Sequence, residues 1–433
     1  MSEFDMPEFQ REDPSKLQSG DFPDPWETPI EEIDPSDSRL FQQDAWRPYF
    51  ERLRRDDPVH FTAESPFGPY WSMTKFDDIA YVERNHQIFS SFPTIAIGDS
   101  PTGEYIENFI AMDPPKHDVQ RKTVQGVVAP RNLAKLESVI RGHAAEILDG
   151  LPDDGVEFDW VDAVSIELTT RMLATLFDFP FEDRRKLTYW SDLSIGSPES
   201  TGMDEGPAPE EVMAGLQDMA QTFMGLWAER AAADPSERND LITMLAHSED
   251  TKDMVTRPLE FLGNIMLLIV GGNDTTRNSI SGGVLALNQF PGEYAKLRND
   301  PSVIPNMVSE IIRWQTPVLH MRRTLKVDHE YKGRHMKAGE KVVMWYISGN
   351  RDEDAHQDAD RLIIDRPNAR HHVSFGFGVH RCMGNRLAEM QLRVVWEEIM
   401  KRFHHVEVTG PESRLKSNFI RGIKELPVRL HRH

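Results

Sequence analysis

One cysteine occurs in the 433 residues, Cys382, in the run Phe375-Gly376-Phe377-Gly378-Val379-His380-Arg381-Cys382-Met383-Gly384. A lone thiol excludes an intrachain disulfide and any zinc or iron–sulfur site built from several cysteines. If sulfur binds a metal, Cys382 is the only thiolate available. A helical pattern starts at Gly384, and the free N–H groups and positive dipole of that helix end stabilise a thiolate. Gly378 permits a tight turn, Gly384 lets the backbone lie against something flat and large, and Phe375 can cover one side of the sulfur. A second constellation, Gly271-Gly272-Asn273-Asp274-Thr275-Thr276, follows the apolar run Ile265 to Val270. An acid and two hydroxyls inside an apolar helix are locally costly. Such groups either satisfy themselves, Thr275 on a carbonyl and Asp274 on a nearby base, or move protons.

The pattern Phe375-x-x-Gly378-x-His380-x-Cys382-x-Gly384 resembles the haem-ligand loop of the cytochromes P-450. That resemblance implies a mainly α fold with a minor β part, a single compact helix-rich domain. Haem b (iron protoporphyrin IX) would lie between the long central helix and the cysteine loop, with Cys382 as axial ligand and Phe375, Gly376 and Gly384 beside it. Asp274 and Thr275 match the family's acid–alcohol pair: Thr275 hydrogen-bonds dioxygen and Asp274 relays protons. His117 and Arg121, in Asp113-Pro114-Pro115-Lys116-His117-Asp118-Val119-Gln120-Arg121, match the bases that hold a haem propionate. Their i,i+4 spacing puts both on one helix face. His380 and Arg323 fill the other two propionate positions, with Arg322 one residue away as the alternative. Glu310-Ile311-Ile312-Arg313 matches the family's buried structural pair. Its third member, an arginine before the cysteine loop, is best matched by Arg361, with Arg366 the less favoured choice.

The elements that must position these residues are mostly helical. Leu40, Phe41, Trp46, Tyr49, Phe50 and Leu53 recur at helical spacing from Ser38; Val59–Phe61 and Tyr70–Met73 read as short strands; Asp77–Asn85, 129–151 and 159–178 read as helices. Pro258 opens a long helix closed at Phe290-Pro291-Gly292, with its middle, Ile265 to Val270, buried on every side. Ile304–Trp314 and Gly384–Arg402 are helices, and Val342–Tyr346 is a strand. Ser194–Pro209, rich in Gly and Pro, reads as a mobile lid. Residues 1–38 carry twelve acids, two bases and six prolines, an acidic arm ahead of a haem domain over 39–433.

The formal charge of −22 argues against nucleic acid and anionic membranes as partners. No run of 18 apolar residues exists, so no transmembrane segment is expected, and Met1 opens onto acid rather than a basic-then-apolar leader; a cytoplasmic location is the expectation. The histidines at 371–372, 404–405, 431 and 433 lack an acidic or cysteine companion at zinc-ligand spacing. No phosphate- or dinucleotide-binding glycine motif follows a strand, so reductant must arrive from elsewhere.

Ile269 to Asn278, Arg313-Trp314-Gln315-Thr316-Pro317 and Gly384-Asn385-Arg386-Leu387-Ala388-Glu389 resemble the bacterial alkane-hydroxylating branch of the family. This implies a monooxygenase inserting one atom of O2 into a terminal C–H bond of medium-chain n-alkanes. Electrons would come from a [2Fe–2S] ferredoxin and its NAD(P)H-dependent reductase. Ile95, Ile97, Val270, Gly271, Val318, Leu319, Phe419 and Ile420 are the wall positions of a channel for the small apolar substrate. Arg121, Lys122, Arg131, Arg381, Arg386, Arg393 and Lys401 could form a basic patch for the ferredoxin. Fatty-acid or terpenoid hydroxylation is the alternative within the family, and a non-catalytic haem-thiolate sensor the alternative outside it.

Overall fold

A computed structural model describes residues 22–100, 103, 105–195 and 207–433. Its axis is the helix Pro258–Gln289, started by a proline at a position that needs no N–H donor. The helices Arg185–Ile195, Glu167–Phe177, Ile304–Gln315 and Asn385–Arg402 pack around it. Its last turns are buried on every side from Asn278 to Leu287. The middle differs from expectation: Ile265 and Ile269 are buried, but Met266, Leu267, Leu268 and Val270 are half-buried and Gly271 is exposed. Met266, Leu267 and Leu268 pack only partly against a neighbouring core, so this stretch of the central helix keeps apolar surface uncovered.

A five-stranded sheet runs in the order Val59–Thr62, Tyr70–Met73, Lys341–Trp345, His320–Leu325, Phe89–Ser90. It is antiparallel except where Tyr70–Met73 lies parallel to Lys341–Trp345. A second sheet joins Glu157–Asp159, Pro427–Arg432 and Phe403–Val408. Among the described residues no helix is long and apolar enough to cross a membrane. The expected mainly helical, single-domain architecture is the one observed.

Two local differences have physical reasons. The helix read from Ser38 is two helices, Ser38–Gln42 and Arg47–Asp56, interrupted at Asp44. Asp44 takes a left-handed backbone (φ 57°) so that its carboxylate meets Trp46 Nε1 at 2.8 Å and Arg421 Nη2 at 3.0 Å. The described part of the acidic segment is tied to the body. Ile33 is buried, Tyr70 Oη donates to Asp34 Oδ1 (2.6 Å), Arg52 to Pro25 O (2.7 Å), and Asn418 Nδ2 to Ser36 O (2.9 Å). Of the stretch Ser194–Pro209 expected as a lid, one helix ends at Ile195 and another begins at Pro209, and residues 196–206 lie outside the described residues.

The assignment of Arg361 to the buried ion cluster is corrected. Glu310 Oε2 receives Arg313 Nε and Glu310 Oε1 receives Arg313 Nη2, both at 2.8 Å, while Arg366 Nε reaches the same carboxylate at 3.0 and 3.1 Å. Arg361 is exposed and contributes only its carbonyl, to Arg313 Nη2 at 2.9 Å and Arg366 Nη2 at 3.0 Å. The turn-rich chain between them aims residue 361 at solvent and brings residue 366 back under the helix.

Candidate active site

The cysteine loop is closed by Cys382 N–H donating to Phe375 O at 2.8 Å. Gly378 has φ +65°, and a Cβ there would stand 2.3 Å from Glu83 O, so only glycine fits. Gly376 is also left-handed, φ +62°, against the Glu83 carboxylate. Phe375 packs on the main core with its ring 5.3 Å from His372. Cys382 itself is exposed although protein encloses it on most sides, the signature of a side chain that opens into an internal hollow. Burial pushes its thiol up, against the backbone N–H groups of Gly384 and Asn385 and the charges of Arg121 and Arg381. A bound metal cation would tip that balance to the thiolate. A Cβ at Gly384 would meet nothing within 4 Å, so that backbone too borders open space.

Basic side chains converge beside the loop and are only partly paired with acids among the described residues. The rings of His117 and His380 lie 4.2 Å apart. His117 Nδ1 faces Asp118 Oδ1 at 2.7 Å, but His117 Nε2 and both nitrogens of His380 are buried without partners. Burial first, then the charges of Arg323, His117, Arg121 and His86, press the His380 pKa down to about 2. Mutually repelling bases with unpaired donors fit an acidic group that they would share, and two carboxylates on the rim of a flat ring satisfy that demand. The helix Lys116–Gln125 places His117 and Arg121 one turn apart, and Arg121 Nη2 donates to Arg381 O at 2.5 Å. Arg322 and Arg323 diverge, as neighbours on a strand must. Arg322 pairs with Asp99 at 2.6 Å, while Arg323 approaches Glu83 at 3.4 Å and is within electrostatic reach of His380. The geometry therefore favours Arg323. His86 belongs to the same group, and no motif in the sequence marks it.

On the long helix Thr275 Oγ1 is half-exposed and donates back to Gly271 O at 3.0 Å. A Cβ added at Gly271 would meet nothing within 4 Å. Asp274 is fully buried; Ser191 Oγ donates to its Oδ2 at 2.5 Å, and Arg277 Nη2 stands 2.5 Å from its Oδ1. Arg277 reaches outward to the exposed Asp192 at 2.7 Å. Burial raises the Asp274 pKa to about 6, with Arg277 opposing. Such a carboxyl exists in both protonation states near neutral pH.

Of the expected wall residues, Ile95, Val270, Gly271, Val318 and Phe419 keep open surface. Ile97 and Leu319 have none and Ile420 nearly none; they pack in the core, so as channel walls these three are corrected. Backbone contacts tie three of the open ones, Ile95, Val318 and Phe419, to one stretch of chain: Arg322 N–H to Ile95 O (2.8 Å), Leu319 N–H to Phe419 O (2.8 Å), and the bridge Val318–Ile420. In the expected basic patch Lys122, Arg131, Arg381 and Arg386 are exposed, whereas Arg393 pairs with Glu137 and Glu397 and Lys401 with Glu398.

The family model "Cytochrome P-450" matches residues 210–430. Linalool 8-monooxygenase of Pseudomonas putida is 35% identical over 92% of this chain and 99% of its own. A methyl-branched lipid omega-hydroxylase of Mycobacterium tuberculosis is 34% identical over 93% of this chain and 96% of its own. The solved structure of CYP153D17 from Sphingomonas sp. PAMC 26605 superposes with a TM-score of 0.85, at 45% identity, covering 93% of this chain and 100% of that one. The chain is a cytochrome P-450. It is a bacterial-type monooxygenase, and its cofactor is the family's haem b.

Proposed function

We propose that the chain hydroxylates the terminal carbon of medium-chain n-alkanes, taking electrons from a [2Fe–2S] ferredoxin and its NAD(P)H-dependent reductase. The observation that carries this reading is one incompletely buried face of the long helix, where half-buried Leu267 and Val270 and exposed Gly271 stand one turn before half-buried Thr275. A terminal C–H bond is stronger than an internal one, so end-on attack must come from shape, and apolar walls supply shape without a polar handle. The residues named as an alkane-branch resemblance and the similarity to an omega-hydroxylase of lipids support the same choice.

Haem, when bound, supplies dioxygen activation: R–H, O2, two electrons and two protons give R–OH and water. Cys382 would hold its iron as a thiolate, steadied by the Gly384 and Asn385 N–H groups. His117, Arg121, Arg323 and His380 would hold its carboxylates, with His86 beside them. Asp274 would take protons from the solvent side, where Arg277 and Asp192 reach the surface. It would deliver them toward Thr275, whose hydroxyl can release Gly271 O and turn into the hollow. Exposed Arg381 and Arg386, next to Cys382 in sequence, suit an acidic electron donor.

The test is aerobic turnover of octane with a surrogate ferredoxin, its reductase and NADH. Mostly 1-octanol is expected; internal alcohols would keep the chemistry and reject the end-on channel. The identity to linalool 8-monooxygenase supports a second reading, terpenoid hydroxylation, for which linalool and not octane would be turned over. Thr275→Ala is expected to keep consuming NADH while alcohol yield falls and hydrogen peroxide accumulates; unchanged coupling would remove Thr275 from its role.

A further inference from the structure

We infer that Glu83 is a positioning residue that ties the cysteine loop to Arg323 and sets the charge balance beneath the haem. This rests on the reading of Cys382 as the haem thiolate. Glu83 sits at the end of the helix Phe76–Arg84 and is 3% exposed, which for a carboxylate requires partners on every oxygen. It has them, from three elements. Glu83 Oε2 accepts the Phe377 backbone N–H at 2.9 Å, between the two left-handed glycines of the loop. Glu83 Oε1 accepts the Tyr346 hydroxyl in a short hydrogen bond and faces Arg323 Nη2 at 3.4 Å. Its backbone carbonyl fills the space that a side chain at residue 378 would need. One residue thus reaches the cysteine loop through side chain and main chain at once.

The consequences divide between shape and charge. The bond to Phe377 N–H holds the turn that presents Cys382, so losing it loosens the ligand. The carboxylate offsets Arg323, so neutralising it adds one net positive charge beside the haem carboxylates that Arg323 would hold. An added net positive charge there stabilises the electron-rich ferrous state. Glu83→Gln keeps an acceptor for Phe377 N–H and removes the charge; Glu83→Ala removes both.

The experiment uses the haem-loaded full chain and two readouts independent of turnover. These are the Soret band of the ferrous carbon monoxide complex, which marks thiolate ligation, and the ferric–ferrous midpoint potential. Glu83→Ala should lose a major part of the thiolate-type band. Glu83→Gln should restore that band while its potential moves to more positive values, and Tyr346→Phe should move neither as far as Glu83→Ala. If Glu83→Ala does not fold, the potential of Glu83→Gln decides alone. A wild-type potential in Glu83→Gln, or a full and stable thiolate band in Glu83→Ala, would overturn the inference and leave the Cys382 reading standing. A wild-type chain that binds haem without the thiolate band would overturn both.

Discussion

Glu310→Ala is expected to destabilise the protein by about 3–5 kcal/mol, the range for breaking a buried ion pair by removing one partner. Most domains have only about 5–15 kcal/mol in total, so little native protein should accumulate. Glu310 and Arg313 have no exposed surface, and Arg366 has 5%. The single carboxylate serves two guanidiniums and also accepts Ile363 N–H at 2.9 Å. The arginines in turn hold the carbonyls of Asn350, Ala359, Arg361 and Asp358, so the segment leading to the cysteine loop hangs on this cluster. Denaturant unfolding followed by circular dichroism should show Arg366→Ala nearly as damaging as Glu310→Ala. Arg361→Ala should stay within about 0.5 kcal/mol of wild type, because its side chain is in solvent. Equal losses at 361 and 366 would contradict the cluster as described.

Asp274→Asn is expected to slow alcohol formation by about 10²-fold or more, the usual contribution of a positioned acid–base group. The wild-type rate should change slope near pH 6, where burial has placed the carboxyl, and the Asp274→Asn variant should lack that inflection. Stability should move the other way. The folded state holds the Asp274 proton more tightly than the unfolded chain, in which the pKa is near 3.8. Native stability is therefore lost as pH rises from about 4 to about 6, by up to about 3 kcal/mol at 1.36 kcal/mol per unit. A neutral amide at this position carries no such penalty. Arg277 loses one of its two carboxylates in the variant but keeps Asp192, which offsets part of the gain. A slower yet more stable enzyme above pH 6, read by turnover and urea unfolding on the same preparation, is the combined expectation.

The helix Pro258–Gln289 was readable to its ends because proline chemistry marks both of them: Pro258 at the start, Phe290-Pro291 at the stop. The cysteine loop was readable because its pattern is compact, a glycine-permitted turn at Gly378 and a sulfur before a helix within a few residues. What escaped depends on long-range convergence. Nothing within five residues of Glu83 or His86 announces a partner nearly three hundred residues away. Arg361 and Arg366 have the same chemistry, and only the path of the intervening turns decides which reaches Glu310. The apolar wall residues share one limitation: packing and lining use the same side chains, so fully buried Leu319 and half-buried Val318 look alike in sequence.

The stitching of Ile95, Val318 and Phe419 bears on recombination between relatives. These positions come from three stretches of chain spanning more than three hundred residues, joined by main-chain hydrogen bonds rather than by replaceable side chains. A chimera that swaps the Ile95 or the Phe419 stretch sets it against residues 318–322 of a different parent, and one that swaps 318–322 changes the partner in all three contacts. Crossover points that carry the three stretches as a set, leaving the long helix untouched, should yield more folded variants with altered substrate range than exchanges of single loops.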